Sequence, residues 1–277
     1  MKTYNTLWRF FVVAGIAAIA IQQMVCADFR PVLVPPGFPT WLTPRLFWTW
    51  AGSIALLAAC VCMGFNLQGR AASLVVGVAL LLCVLLFHVP YQLTHNPAQL
   101  GSWTDPLKCL ALSGGAFIMA QTFQKPRPAI IRPLEKGIPL AIYFLGFMLV
   151  VFGVDHFLYT DFVATLVPAW MPMHLFWTYV AGVALIAAGL ALILNIKRRL
   201  AAALLGVMLF IWFAILHLPR AIADPHSGNG NEWTSVFEAL AFSGMAFLIA
   251  SKPRKKALGA SKNRYSNFQT EKTSMGF

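Results

Sequence analysis

Residues 46–65 read LFWTWAGSIALLAACVCMGF, and residues 175–194 read LFWTYVAGVALIAAGLALIL. Each is an apolar run of the ~20 residues that a helix needs to cross a ~30 Å hydrocarbon layer. Neither shows the two-residue alternation of a barrel strand. Both open on Leu-Phe-Trp-Thr. The pair therefore predicts membrane-spanning helices and an internal repeat.

The likeness extends in both directions. Residues 39–90 align without a gap on residues 168–219, at a constant offset of 129 and with 18 identities in 52 positions. Asn66 matches Asn195, Arg70 matches Arg199, and His88-Val89-Pro90 matches His217-Leu218-Pro219. After one inserted residue, Trp103-Thr104 matches Trp233-Thr234 and Ser113-Gly114 matches Ser243-Gly244. Upstream, Asp28-Phe29 and Leu33-Val34-Pro35 recur as Asp161-Phe162 and Leu166-Val167-Pro168. The first apolar segment thus has a counterpart in the fifth. It is expected to belong to the fold, although Val25-Cys26-Ala27 has the look of a signal cleavage site.

Composition agrees, with 59% hydrophobic residues, 11% charged residues and a mean hydropathy of +0.70. Eight spans are expected, near 7–25, 47–65, 71–89, 107–123, 139–158, 176–194, 200–218 and 236–251, the last being the shortest. Seventeen basic residues fall near one set of span ends, in the groups Lys2 and Arg9, Arg70, 125–136, 197–199 and the tail. The other set holds Arg30, Arg45, Lys108 and Arg220. Basic loops stay cytoplasmic, so both termini are expected inside. The net charge of +12 reflects this asymmetry and does not call for a nucleic-acid partner. The expected fold is all-α, two fused parallel-repeat four-helix bundles: 1–123, a basic Pro-rich extended linker at 124–138, 139–251, and a basic disordered tail at 252–277. Equal orientation of the halves separates this plan from transporters built of inverted repeats.

Ionisable residues in apolar spans are costly and are usually turned to use. Asp155-His156 ends the fifth span, His217 ends the seventh, and Glu238 lies one turn into the eighth. All fall at a similar depth toward the non-cytoplasmic side, below loops with Asp161, His174, Asp224 and Glu232. Adjacent helical residues diverge by ~100°, so Asp155 and His156 need not share a cavity. Two imidazoles and a carboxylate suit a metal, or a proton relay of the kind quinone chemistry requires. The structural alternative is that His88 and His217, each two residues before a proline, bond carbonyls which that proline frees. It is preferred for His88, whose half lacks the other partners. Lys108 is expected to pair with Asp105 or to snorkel outward. Trp170, Trp177 and His174 are candidates to line a flat ligand, against the simpler reading of an aromatic interfacial belt.

All five cysteines lie in the first half. A Cys26–Cys109 disulfide is conceivable, whereas Cys60 and Cys62 diverge by ~200° on a helix and do not chelate. No P-loop, dinucleotide fingerprint, haem-attachment motif or nucleophile elbow is present, so neither haem, flavin nor nucleotide is expected.

Gly153-Val154-Asp155-His156-Phe157, Val167-Pro168-Ala169-Trp170, Trp177, His217, and Glu238 with Ser243-Gly244 together resemble the DoxX/DoxD-like membrane proteins. In the first half Gln23 replaces His156 and Lys108 replaces Glu238. The resemblance implies four-helix units, some of which serve quinone-linked oxidation as partners of redox enzymes. A redox-associated subunit of a bacterial cytoplasmic membrane is expected, with a quinone or other small-ligand pocket in the second bundle and a chiefly structural first bundle. Its catalytic candidates are His156, His217, Glu238 and Asp155, with a soluble or membrane redox partner and no resident metal. The alternatives are a non-catalytic scaffold and a small-molecule transporter.

Overall fold

The fold is that of a computed structural model, which describes residues 2–37, 39–123 and 129–252. It is all-helical: the α-helices are α1 Lys2–Cys26, α2 Arg45–Gly64, α3 Gly69–Cys83, α4 Val89–His95, α5 Thr104–Ala120, α6 Ala141–Leu158, α7 Thr160–Leu166, α8 His174–Ile193, α9 Arg198–Trp212, α10 Leu218–Ala223 and α11 Asn231–Ala250. Among the described residues, seven helical stretches are long and apolar enough to cross a membrane. The chain is an integral membrane protein by this measure. The expected span absent from these seven is the fourth, 107–123, which corresponds to α5, a helix of only 17 residues. The expected shortest span is longer than its apolar run suggested, since α11 reaches 20 residues.

Two spans run on past their prolines. A five-residue π-helical turn at Val84–His88 joins α3 to α4, and another at Phe213–His217 joins α9 to α10. Pro90 and Pro219 lack an N–H and crowd the carbonyl four residues back, and a widened turn relieves such crowding without ending the helix. The spans therefore run Gly69–His95 and Arg198–Ala223, beyond the expected ends at Val89 and Leu218. Asn66 and Asn195 both adopt positive φ in the turns before α3 and α9. Asn tolerates the left-handed region better than most side chains.

The packing order is a closed ring with two helices at its centre. α1 lies against α2 and α11, and α6 lies against α8 and α5. Thus the first helix of each half rests on the last helix of the other half. α3 packs on α5, α9 packs on α11, and α5 and α11 touch each other. In α5, 13 of 17 residues are buried, against 4 of 20 in α2. This is why α5 carries Asp105 and Lys108 in a short apolar run: its surroundings are protein, not lipid.

The exchange of first helices depends on two Ser-Gly pairs. Ser113 Oγ donates to Gly77 O at 2.6 Å, and Ser243 Oγ donates to Gly206 O at 2.9 Å, each bond tying a central helix to its own half. The adjacent glycine admits a helix from the other half. A Cβ on Gly114 would lie 2.7 Å from Ala141 O, and one on Gly244 would lie 2.8 Å from both Trp8 O and Phe11 Cβ. Small residues at such crossings let backbones approach closely. Ser243→Ala should lower stability by ~0.6 kcal/mol, and at most ~1.7 kcal/mol, the range for interhelical hydrogen bonds in membranes. Unfolding in mixed micelles measures that loss.

The linker differs from the extended connector expected. Pro133–Leu140 forms a 3-10 helix, with Pro133 at its start, where the missing N–H does no harm. Arg70 holds it in place: its Nε and Nη2 donate to Glu135 Oε1 at 2.9 and 2.6 Å, while Nη1 donates to Ala120 O at 2.9 Å. The Lys125-Pro126-Arg127-Pro128 segment and residues 253–277 of the tail lie outside the described residues.

Candidate functional site

α1 and α11 run antiparallel. Trp8 stacks on Phe247 at 4.2 Å near the chain termini, and Gln22 Nε2 donates to Gly230 O at 2.6 Å at the other, distal end. The ionisable groups collect toward that distal end, around the central helices.

Lys108 on α5 meets Glu238 on α11, with Nζ 3.0 Å from Oε2 and 3.6 Å from Asp105 Oδ1. Lys108 therefore bonds across to the other half, with Asp105 as its second partner, and does not snorkel outward. The reason lies in the fold, because α5 faces α11 at this level. Glu238 is 3% exposed, and a carboxylate so far from water needs a partner to remain charged. The two residues hold equivalent places in the sequence alignment. So do Gly115 and Met245, and a Cβ on Gly115 would run into the Met245 side chain. Equivalent residues thus face each other at two levels, which requires α5 and α11 to be parallel and in register.

One turn above Glu238, Thr234 anchors a second set of polar groups. Its Oγ1 donates to Gln22 Oε1 at 2.8 Å and accepts from Arg30 Nε at 3.1 Å. Arg30 is 1% exposed, donates through Nη1 to Asn229 O at 2.9 Å, and is held from behind by Gln23 Oε1, which accepts its backbone N–H at 3.1 Å. Gln23 Nε2 donates to Ser53 Oγ at 3.0 Å. In the sequence Arg30 reads only as a loop base. Its burial comes from the loop after α1 folding back over the start of α11. The one available signal was Gln22-Gln23, two amides ending an apolar helix where the other half has Asp155-His156.

His217 closes the π turn after α9 and takes no hydrogen bond among the described residues. The charged groups whose fields reach it are Lys108, Glu232 and Arg220. Arg220 grips Glu232 through Nη2 and Nε at 2.7 and 3.2 Å. His156 is placed apart from this group. Its Nδ1 pairs with Phe152 O at 2.7 Å, and its ring stacks on Trp212 with centroids 6.3 Å apart. Asp155 is half-buried, and its Oδ1 has no hydrogen-bond partner among the described residues. No hydrogen bond or ion pair among those residues joins Asp155 or His156 to His217 or Glu238. The structure thus brings Glu238 to Lys108, whose field reaches His217, and leaves His156 against Trp212 of α9.

Trp170 and Trp177 are 70% and 43% exposed, and His174 is half-buried at the start of α8. Their counterparts Trp41 and Trp48 are 70% and 44% exposed, the arrangement of an interfacial belt. His88 is buried and pairs through Nε2 with Val32 O at 3.1 Å. That carbonyl belongs to the loop after α1; Pro90 frees the carbonyl of Leu86. The five cysteines are free, Cys109 Sγ donating to Leu80 O at 3.5 Å, so the conceivable Cys26–Cys109 disulfide is not formed. Among the described residues, no three His, Cys, Asp or Glu side chains gather closely enough to hold a metal.

Residues 145–251 match the family described as Domain of unknown function (DUF8561). That match runs from within α6 to the end of α11. No curated protein and no solved structure matches the chain.

Proposed function

We propose that the protein is a quinone-linked, redox-associated subunit of a bacterial cytoplasmic membrane, with eight spans in two parallel repeats and both termini inside. Its site lies toward the non-cytoplasmic side, at Glu238 between the halves, with His217 as the second group that the Lys108 charge acts on. The observation that carries this reading is the Glu238 carboxylate: Lys108 holds Oε2, while Oε1 has no partner among the described residues. Charge placed inside a bilayer is expensive and marks sites that handle ions or protons. Reduction of a quinone to a quinol takes up two electrons and two protons. A redox partner supplies the electrons, and imidazole and carboxyl groups at the membrane face pass the protons. The DoxX/DoxD-like resemblance supports the same reading. The first half is then no spare copy, because it contributes Lys108.

Native mass spectrometry of the gently solubilised chain tests the proposal. Wild type should retain a quinone that is lost from His217→Ala and Glu238→Gln variants of unchanged helicity. His156→Ala, altered at a residue set apart from Glu238, should lose less. A wild-type protein with no bound quinone, whether purified or supplied with ubiquinone in nanodiscs, would refute it.

A scaffold role is the second reading, and one observation favours it. An open, wholly apolar groove of about 580 Å³ lies on α2, lined by Pro44, Leu46, Phe47, Trp50, Ala51 and Ile54. Its apolar lining suits the flank of a partner's membrane helix. Under that reading the same spectra carry a partner chain in wild type and in both site variants.

A further inference from the structure

We propose that the junction of α1, α5 and α11 contains a binding site for one ordered water, which bridges Arg30 Nη2 and Glu238 Oε1. Both atoms are buried, and neither has a hydrogen-bond partner among the described residues. Their residues are 1% and 3% exposed.

The guanidinium edge formed by Nε and Nη2 is the one that grips a carboxylate in two other arginine pairs. Arg70 uses it on Glu135, and Arg220 uses it on Glu232. In Arg30 the same edge gives Nε to Thr234 Oγ1 and leaves Nη2 open. Thr234 and Glu238 are four residues apart on α11, so they share a face with a rise of ~6 Å between them. Two hydrogen bonds of ~2.8 Å through a single water oxygen bridge ~4.5–5 Å, and Arg30 lies close enough to Glu238 for its charge to act on that carboxylate.

The chemistry selects the ligand. An atom between these groups must accept a hydrogen bond from the guanidinium and donate one to the carboxylate. Water does both, whereas a halide, a carboxylate or a carbonyl donates nothing. Arginine keeps its charge in a protein, and no carboxylate touches Arg30 among the described residues. A bridging water conveys the charge of Glu238 to it, and buried waters commonly satisfy such leftover donors and acceptors. The site joins a loop of the first half to a helix of the second. It also gives Glu238 a partner for proton exchange besides Lys108. The inference does not rest on quinone binding and survives that reading's failure.

A cryo-electron microscopy map of the native-sequence chain in lipid nanodiscs, at a resolution that shows waters, tests it directly. Density within hydrogen-bonding distance of both atoms is the expected result. A direct Arg30–Glu238 contact, or empty space between them, would overturn the proposal. Infrared difference spectra in H2(18)O give an independent reading. The wild type should show an isotope-sensitive O–H band absent from folded Arg30→Gln protein, and retention of that band in the variant counts against the bridge.

Discussion

Lys108→Met is expected to destabilise the protein by about 3–5 kcal/mol, because it leaves the Glu238 carboxylate buried without its cation. The loss should exceed that from removing either exposed member of a surface pair, which is worth ~0–1 kcal/mol. The double variant Lys108→Met/Glu238→Gln removes both charges and should recover most of the stability. Unfolding curves for the two single variants and the double variant, closed as a thermodynamic cycle, isolate the pair. Independent, additive losses would show that Lys108 and Glu238 do not face each other across the α5–α11 contact. The reversed pair Lys108→Glu/Glu238→Lys should remain less stable than wild type. Asp105 is 3.6 Å from Lys108 and would repel a carboxylate at 108, while Arg30, bonded to Thr234 one turn away on α11, would repel a cation at 238.

Gly244→Ala should cost ~1–3 kcal/mol, the usual penalty for overpacking a close contact. The added methyl meets a carbonyl oxygen and a Cβ of α1 at 2.8 Å. Neither obstacle is the loose end of a flexible side chain, so α1 itself must shift. Gly114→Ala should behave alike against α6, where the nearest atom is Ala141 O at 2.7 Å. Gly52→Ala supplies the contrast. It is an exposed position in α2 whose nearest neighbour is a Phe29 ring carbon at 3.8 Å, and there the gain in helix propensity should stabilise by ~0.5–1 kcal/mol. Thermal denaturation in one detergent ranks the three variants. Equal effects at positions 52, 114 and 244 would remove the argument that the glycines admit the exchanged helices.

Much of the architecture was legible in the residues, and the illegible part has a physical cause. The offset of 129 between His88 and His217 carried through to π turns ending at those same residues. Alignment of two halves identifies equivalent residues, but it cannot tell which half a helix rests on. That choice depends on contacts such as Gly244 with Trp8 and Phe11, which no periodicity encodes. The site is only partly legible for the same reason. Glu238 stands out by its charge in an apolar helix, and so does its counterpart Lys108, but neither half taken alone pairs them. Arg30 looked like an ordinary loop base because burial of a Pro-flanked loop leaves no pattern in composition. The opposite charges at positions 108 and 238 were the clue to a contact between the halves, since a parallel two-fold arrangement places equivalent residues face to face.

The exchange of first helices is the central claim, because it places Lys108 and Glu238 in one centre made by both halves. Cross-linking with a short bismaleimide in a cysteine-free background tests it most directly. Trp8→Cys/Phe247→Cys places thiols at two rings that stack 4.2 Å apart between α1 and α11. Trp8→Cys/Phe117→Cys places them at the equivalent positions of a closed first-half bundle. The account predicts efficient intramolecular cross-linking of 8 to 247 and little of 8 to 117; efficient linkage of 8 to 117 with none of 8 to 247 would contradict it.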